Sequence, residues 1–159
     1  MVAMTKAVRF ILPGTTGIKF VPTSTNYKSM LLTELNAGTD IIDLAEVAGW
    51  SVTSNNIDAP DFDSLFTSKV AGLTSAEDSS LTFYGSKTGA DVRAVLPRGT
   101  TGFLAFADGG FDSDNTFMDV FPITVSSVAK QRSQSDTFKI QVSFAITAEP
   151  DEDQTIPTV

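Results

Sequence analysis

The residues best suited to chemistry are acids on turns. Asp108-Gly-Gly-Phe-Asp-Ser-Asp-Asn115 sets three carboxylates on a Gly-rich stretch, the hard oxygen donors that calcium takes. Counted from Asp108 or from Asp112, however, it lacks the glycine at the sixth place and the glutamate at the twelfth that a calcium loop needs. An exposed Asp/Gly hairpin connection accounts for the same residues. Glu77-Asp78 offers two adjacent carboxylates, but acid/base pairs need one carboxyl in an apolar pocket and the other in a polar one. Neighbours on a strand face opposite ways, and Ser75, Ser79 and Ser80 around them read as solvated. Gly14-Thr-Thr-Gly17 and Gly99-Thr-Thr-Gly102 each follow a Leu-Pro pair, yet neither leads into the Lys-Ser/Thr of a phosphate-binding loop. Tight turns entering strands explain both. The chain has no histidine and no cysteine. Ser-His-Asp and Cys-His triads, thiolate or imidazole zinc sites and disulfides are therefore excluded.

The elements that would carry these residues are mostly strands. Phe138, Ile140, Val142, Phe144 and Ile146 alternate with Lys139, Gln141, Ser143, Ala145 and Thr147, the period of a half-buried antiparallel strand. Phe121, Ile123 and Val125 repeat the pattern, with Pro122 predicting an edge position or a bulge. Residues 101–107, 81–84, 49–57, 7–12 and 18–21 also read as strands, so turn-separated short strands predict a mainly β, antiparallel sandwich or barrel. Two short flanking helices are expected within residues 27–36 and 89–96. The expected core is Trp50, Phe83, Phe106, Phe121, Ile123, Ile140, Val142 and Phe144. At 159 residues the chain suits one domain with a core that needs no staples. Lys6 and Arg9 interrupt the first apolar stretch, so it does not read as a signal peptide, and no apolar run is long enough for a spanning helix.

Charge is unevenly spread. Net charge is −8, which disfavours groove binding of nucleic acid. Residues 1–30 carry Lys6, Arg9, Lys19 and Lys28 and no acid; residues 31–68 carry seven acids and no base. A basic arm docking on an acidic patch of another copy would use that asymmetry, and plain solubility would also produce it. The acidic residues 149–153 predict a solvated tail over 149–159. Trp50 reads as core, whereas Phe62 and Phe66 sit in a polar stretch and make sense if a neighbour covers them.

Several segments in order resemble the major tail (tail tube) proteins of long-tailed phages, nearest those infecting actinobacteria. They are Leu35-Asn-Ala-Gly-Thr-Asp40, Gly49-Trp-Ser-Val-Thr, Ala76-Glu-Asp-Ser-Ser-Leu-Thr-Phe-Tyr84, Asp91-Val-Arg-Ala-Val-Leu-Pro-Arg-Gly99, and the run from Met118-Asp-Val-Phe-Pro-Ile-Thr-Val to Phe144-Ala-Ile-Thr-Ala-Glu-Pro150. The resemblance implies a structural virion protein, no enzyme and no cofactor, assembled in the host cytoplasm into hexameric rings. Stacked rings would form a hollow tube for the genome, which passes without specific binding through a neutral or acidic lumen. Tape measure, tail terminator and distal tail proteins are the implied partners. By place, residues 1–27 correspond to the family's N-terminal arm, 28–148 to the β domain and about 54–72 to its long inter-subunit loop. Expected interface residues are Lys6, Arg9, Phe10, Ile18, Lys19, Phe20, Phe62 and Phe66, and removal of residues 1–20 is expected to spare the fold. A monomeric β-sandwich binding carbohydrate or a host surface is the alternative; a hydrolase with paired carboxylates has no constellation to support it.

Overall fold

The computed structural model describes residues 2–111 and 116–158. Asp112 and Asp114 of the acidic turn lie outside them. Ten strands are present: β1 Gly17–Val21, β2 Thr39–Asp40, β3 Leu44–Ala48, β4 Val52–Ala59, β5 Ser68–Ala76, β6 Ser79–Tyr84, β7 Thr101–Ala107, β8 Phe117–Gln131, β9 Lys139–Ile146 and β10 Asp151–Thr155. A 3-10 turn at Tyr27–Ser29 and helices α1 Leu32–Asn36 and α2 Val92–Val95 complete the described elements.

The alternation in β9 works as expected: Ile140, Val142 and Phe144 are buried. Antiparallel register sets Leu81 of β6 opposite Val142 and Phe83 opposite Ile140, so apolar side chains meet in cross-strand pairs. The main sheet runs β2-β1-β7-β8-β9-β6-β3, and β10 lies beside the first residues of β8. Its two edge strands, β2 and β3, are joined by residues 41–43 alone. Four residue steps span at most roughly 14 Å, so the sheet must curl until its edges face each other. The result is an open barrel with a seam between β1–β2 and β3. Inside it lie Phe83, Phe106, Phe121, Ile123, Ile140, Val142 and Phe144, with Leu81, Leu104 and Val125. Each such burial stabilises by about 1.5–3 kcal/mol.

A second cluster covers the outer face of β7 and β8. Ala105, Ala107, Met118 and Val120 meet Met30, Leu35 and Ile156 there. Both faces of β7 are thus buried, and Phe103-Leu-Ala-Phe-Ala107 reads as a continuous apolar run for that reason.

Four expectations are corrected. Residues 7–12 form no strand, because none of the described residues pairs with them. The acidic tail is not solvated throughout: β10 pairs with β8, and Gln154 and Ile156 are buried. The stretch expected as a long loop, about 54–72, lies in a two-stranded hairpin, β4–β5, with only 60–67 outside the strands. Pro122 sits in a central strand, flanked by β7 and, on its other side, by the junction of β9 and β10. Its carbonyl accepts from Thr147 N at 3.0 Å, so its missing N–H faces the point where one partner strand gives way to the next.

Candidate assembly surface

Trp50 is where the hairpin is anchored. Gly49 and Trp50 both have left-handed backbone (φ 82° and 65°), turning the chain out of β3 and into β4. A Cβ at Gly49 would stand 2.4 Å from the Asp78 carbonyl oxygen, so only glycine fits. The indole packs on Phe106, Phe121 and Phe144 with centroids 4.8–5.2 Å away. Its Nε1–H donates to the Ser80 carbonyl at 3.2 Å, while Trp50 N donates to Ser79 Oγ at 3.1 Å. Trp50 is core as expected, although it precedes the strand rather than lying in it. Ser79 is buried, not solvated, for the same reason.

Beyond that anchor the hairpin carries unpartnered apolar side chains. Ile57 and Val70 are cross-strand partners, and both are exposed. Leu73 is exposed too, and at the tip Phe62, Leu65 and Phe66 are among the most exposed side chains described. Leu65 escaped the sequence reading; its place beside Phe66 in an otherwise polar turn was the available signal. A lone hairpin is at best marginally stable in water, and contiguous exposed apolar surface marks a contact site.

The N-terminal candidates divide at Leu12. Thr15 N and Thr16 N donate to the Leu12 carbonyl at 3.0 and 2.9 Å, forming the turn expected of Gly14-Thr-Thr-Gly17. Before it, Lys6, Arg9 and Phe10 are exposed, and Val2, Met4 and Val8 are more than 90% so. After it, β1 pairs with β7 from Gly17↔Ala107 to Val21↔Phe103. That register turns Ile18 and Phe20 into the barrel, each 6% exposed. They are core side chains of their own chain and not held for a neighbour. Lys19 is likewise committed, with Nζ 2.8 Å from Asp40 Oδ1. Residues 2–11 are therefore exposed and outside any described strand or helix, whereas Ile18 and Phe20, within the expected 1–27 arm, belong to the barrel.

Beside the Leu12 turn lies a groove of about 660 Å³ along the barrel seam. Ile18, Phe106, Ile41 and Leu44 line it, and Asp43, Glu46 and Asp108 give it acidic edges. β3 forms one wall, and its outer edge has no strand partner among the described residues.

Two other acids, Glu34 and Asp91, tie local structure together. Glu34 accepts from Thr25 N, Ser24 Oγ and Leu31 N at 2.8, 2.8 and 3.2 Å. These bonds, the Thr25 N–H foremost, lower its carboxyl to about 2. Asp91 caps α2 and binds Arg93 side chain and Ser86 N, with the Arg93 bond chiefly responsible for holding its carboxyl far below the usual range. Burial pushes Asp119 the other way. Glu77 and Asp78 are exposed at the β5–β6 turn. Among the described residues no three acids gather as metal ligands would.

Comparisons with known proteins bear on this arrangement. A subunit in the baseplate of the anti-feeding prophage, determined with six-fold symmetry, superposes with a TM-score of 0.57 at 9% identity, over 92% of this chain and 95% of that one. The tube-terminating cap of the same particle gives 0.55 at 10% identity, over 89% and 90%. The tail of an empty GTA particle, refined with helical C6 symmetry, gives 0.54 at 15% identity, over 86% and 93%. These likenesses establish the tail-tube-like fold. No curated protein matches the sequence. Residues 4–159 match the family model described as phage tail tube protein. The chain therefore belongs to the phage tail tube protein family, as a structural, non-enzymatic protein of the virion tail.

Proposed function

We propose that six copies of this chain close into a ring and that rings stack into the hollow tube through which the phage genome is delivered. The observation that carries this reading is the hairpin β4–β5, anchored in the core by Trp50 yet exposing Ile57, Phe62, Leu65, Phe66, Val70 and Leu73. Burying such side chains against neighbours would stabilise each contact by about 1.5–3 kcal/mol per residue. The six-fold symmetry of the anti-feeding prophage baseplate and the GTA tail, whose subunits share the fold, supports a ring of six. Arm and hairpin are the inter-subunit elements, with Lys6, Arg9, Phe10, Phe62 and Phe66 as contact residues. A tape measure, a terminator and a distal tail protein are the further partners. The bore is neutral or acidic, because inward Lys or Arg would bind the phosphates of the passing DNA and release counterions. Net charge of −8 per chain supplies acid enough.

Negative-stain microscopy of the purified protein tests the reading: rings or tubes are expected. A protein that stays monomeric at high concentration would instead favour a free-standing binding module.

A further inference from the structure

We propose that residues 7–11 of one copy add a strand to the outer edge of β3 in a second copy, filling the groove and closing its barrel seam. This rests on the self-assembly reading above and names the surface that receives the arm. The first argument is the edge itself. β3 pairs with β6 on one side only, at Leu44↔Phe83, Glu46↔Thr82, Val47↔Leu81 and Ala48↔Ser80, and ends the sheet on the other. An unpaired edge is a template for another strand.

The second argument is the fit of the occupant. Ala7-Val-Arg-Phe-Ile11 has five residues, as many as Leu44–Ala48, and at roughly 3.3 Å per residue the two lengths match. In extended form Val8 and Phe10 share one face and Arg9 takes the other. Val8 and Phe10 then enter the groove over Ile18, Leu44 and Phe106, and Arg9, on the opposite face, stays at its acidic edge of Asp43, Glu46 and Asp108. Charge also chooses between the two uncovered elements. The hairpin tip carries Asp61 and Asp63 beside its aromatics, and Lys69 is tied to Asp58 at 2.5 Å. The tip would bring acid to acid; the arm brings base to acid.

The third argument concerns which copy supplies the strand. The chain's own arm leaves past the Leu12 turn at the groove rim with Val8 92% exposed, so its own groove stands open.

Because the chain has no cysteine, single thiols report the pairing directly. Full-length Val8→Cys and Phe10→Cys proteins are each mixed with Val47→Cys protein under assembly conditions and oxidised with copper phenanthroline. All three positions are exposed in the free chain, and disulfides need Cα atoms within about 7 Å. At least one arm variant should give several-fold more covalent dimer with Val47→Cys than with Leu73→Cys on the hairpin. Equal yields would overturn the proposal. So would a Val8→Cys/Val47→Cys chain, or the Phe10→Cys counterpart, that closes only within itself. Micrographs of the same samples separate the two levels: tubes without the selective dimer refute the strand addition alone, and the dimer without tubes refutes the tube reading alone.

Discussion

Gln154 is the polar side chain on which the docking of β10 turns. Its Oε1 accepts from Met30 N at 3.2 Å, and its Nε2 donates to the Tyr27 carbonyl at 2.7 Å. The residue is 8% exposed, beside Met30, Ile156 and Met118 of the outer cluster. Nε2 also donates to Asp151 Oδ2, so Gln154→Ala removes three bonds, each worth about 0.5–1.5 kcal/mol, and strands the buried Met30 N–H at a desolvation cost of about 1–3 kcal/mol. These contributions overlap, because the stranded donor is one half of a lost bond, and a total of about 2–4 kcal/mol follows. For a domain of this size each kcal/mol lowers Tm by roughly 2–4 °C, giving a drop of roughly 4–16 °C. Urea melts of the dispersed protein at pH 7, with the slope m checked for constancy, measure it. Gln154→Glu keeps the acceptor for Met30 but sets a carboxylate against the Tyr27 carbonyl and Asp151, so it should destabilise at pH 7 and recover on acidification. A Gln154→Ala protein within 0.5 kcal/mol of wild type would refute the argument, and β10 would then be an ornament on the barrel.

Removing residues 1–11 should leave Tm nearly unchanged and abolish tubes in micrographs, whereas removing 1–20 also deletes Ile18 and Phe20 from the core and should unfold the protein by circular dichroism. Glu34 titrates from its ordinary 4.5 down to about 2 in the folded chain; its contribution is full above pH 4.5 and lost as pH falls toward 2. Glu34→Gln should therefore flatten the fall of stability across that window in acid melts. Arg9→Glu should slow assembly followed by light scattering, and Glu46→Arg should partly restore it. Added salt should slow the wild type as well, since screening shortens from about 10 Å at 0.1 M to about 3 Å at 1 M. Exposed pairs are worth at most about 1 kcal/mol each, so the effect comes from repetition around the ring.

How much of this was legible follows from what each strand shows to solvent. β9 faces water on one side only, so its alternation announced both strand and core. β4 and β5 are exposed along most of their length; residues 49–57 read as a strand, but Thr53, Ser54, Asn55 and Asn56 carry no apolar period to announce a partner, so β5 was missed and 54–72 read as a long loop. β10, Asp-Glu-Asp-Gln-Thr, is held by backbone pairing that ignores side-chain type, and its buried Gln154 and Ile156 are two residues in an acidic run. For Ile18 and Phe20 the strand was legible but its partner was not, because β7 lies more than eighty residues downstream. The exposed half of the candidate surface (Phe10, Phe62, Phe66) was visible as aromatics without a periodic face. The groove was not, since it exists only once β1 and β3 meet at the seam.

The strand order has a consequence for the order in which the molecule comes together. β1 must find β7, and β6 must find β9, across long stretches of chain, and such non-local pairing takes milliseconds to seconds in all-β domains. The hairpin β4–β5 closes over the eight residues between Ala59 and Ser68, and hairpins form in about 1–10 μs. Each new chain thus presents a sticky ribbon well before it has a barrel to hold it. Pro60, Asp61 and Asp63 immediately precede Leu65 and Phe66, where proline and like charges discourage premature strand-to-strand stacking. Like charge at the tip would thus disfavour contact between ribbons of neighbouring chains before Trp50 packs each one onto a finished core.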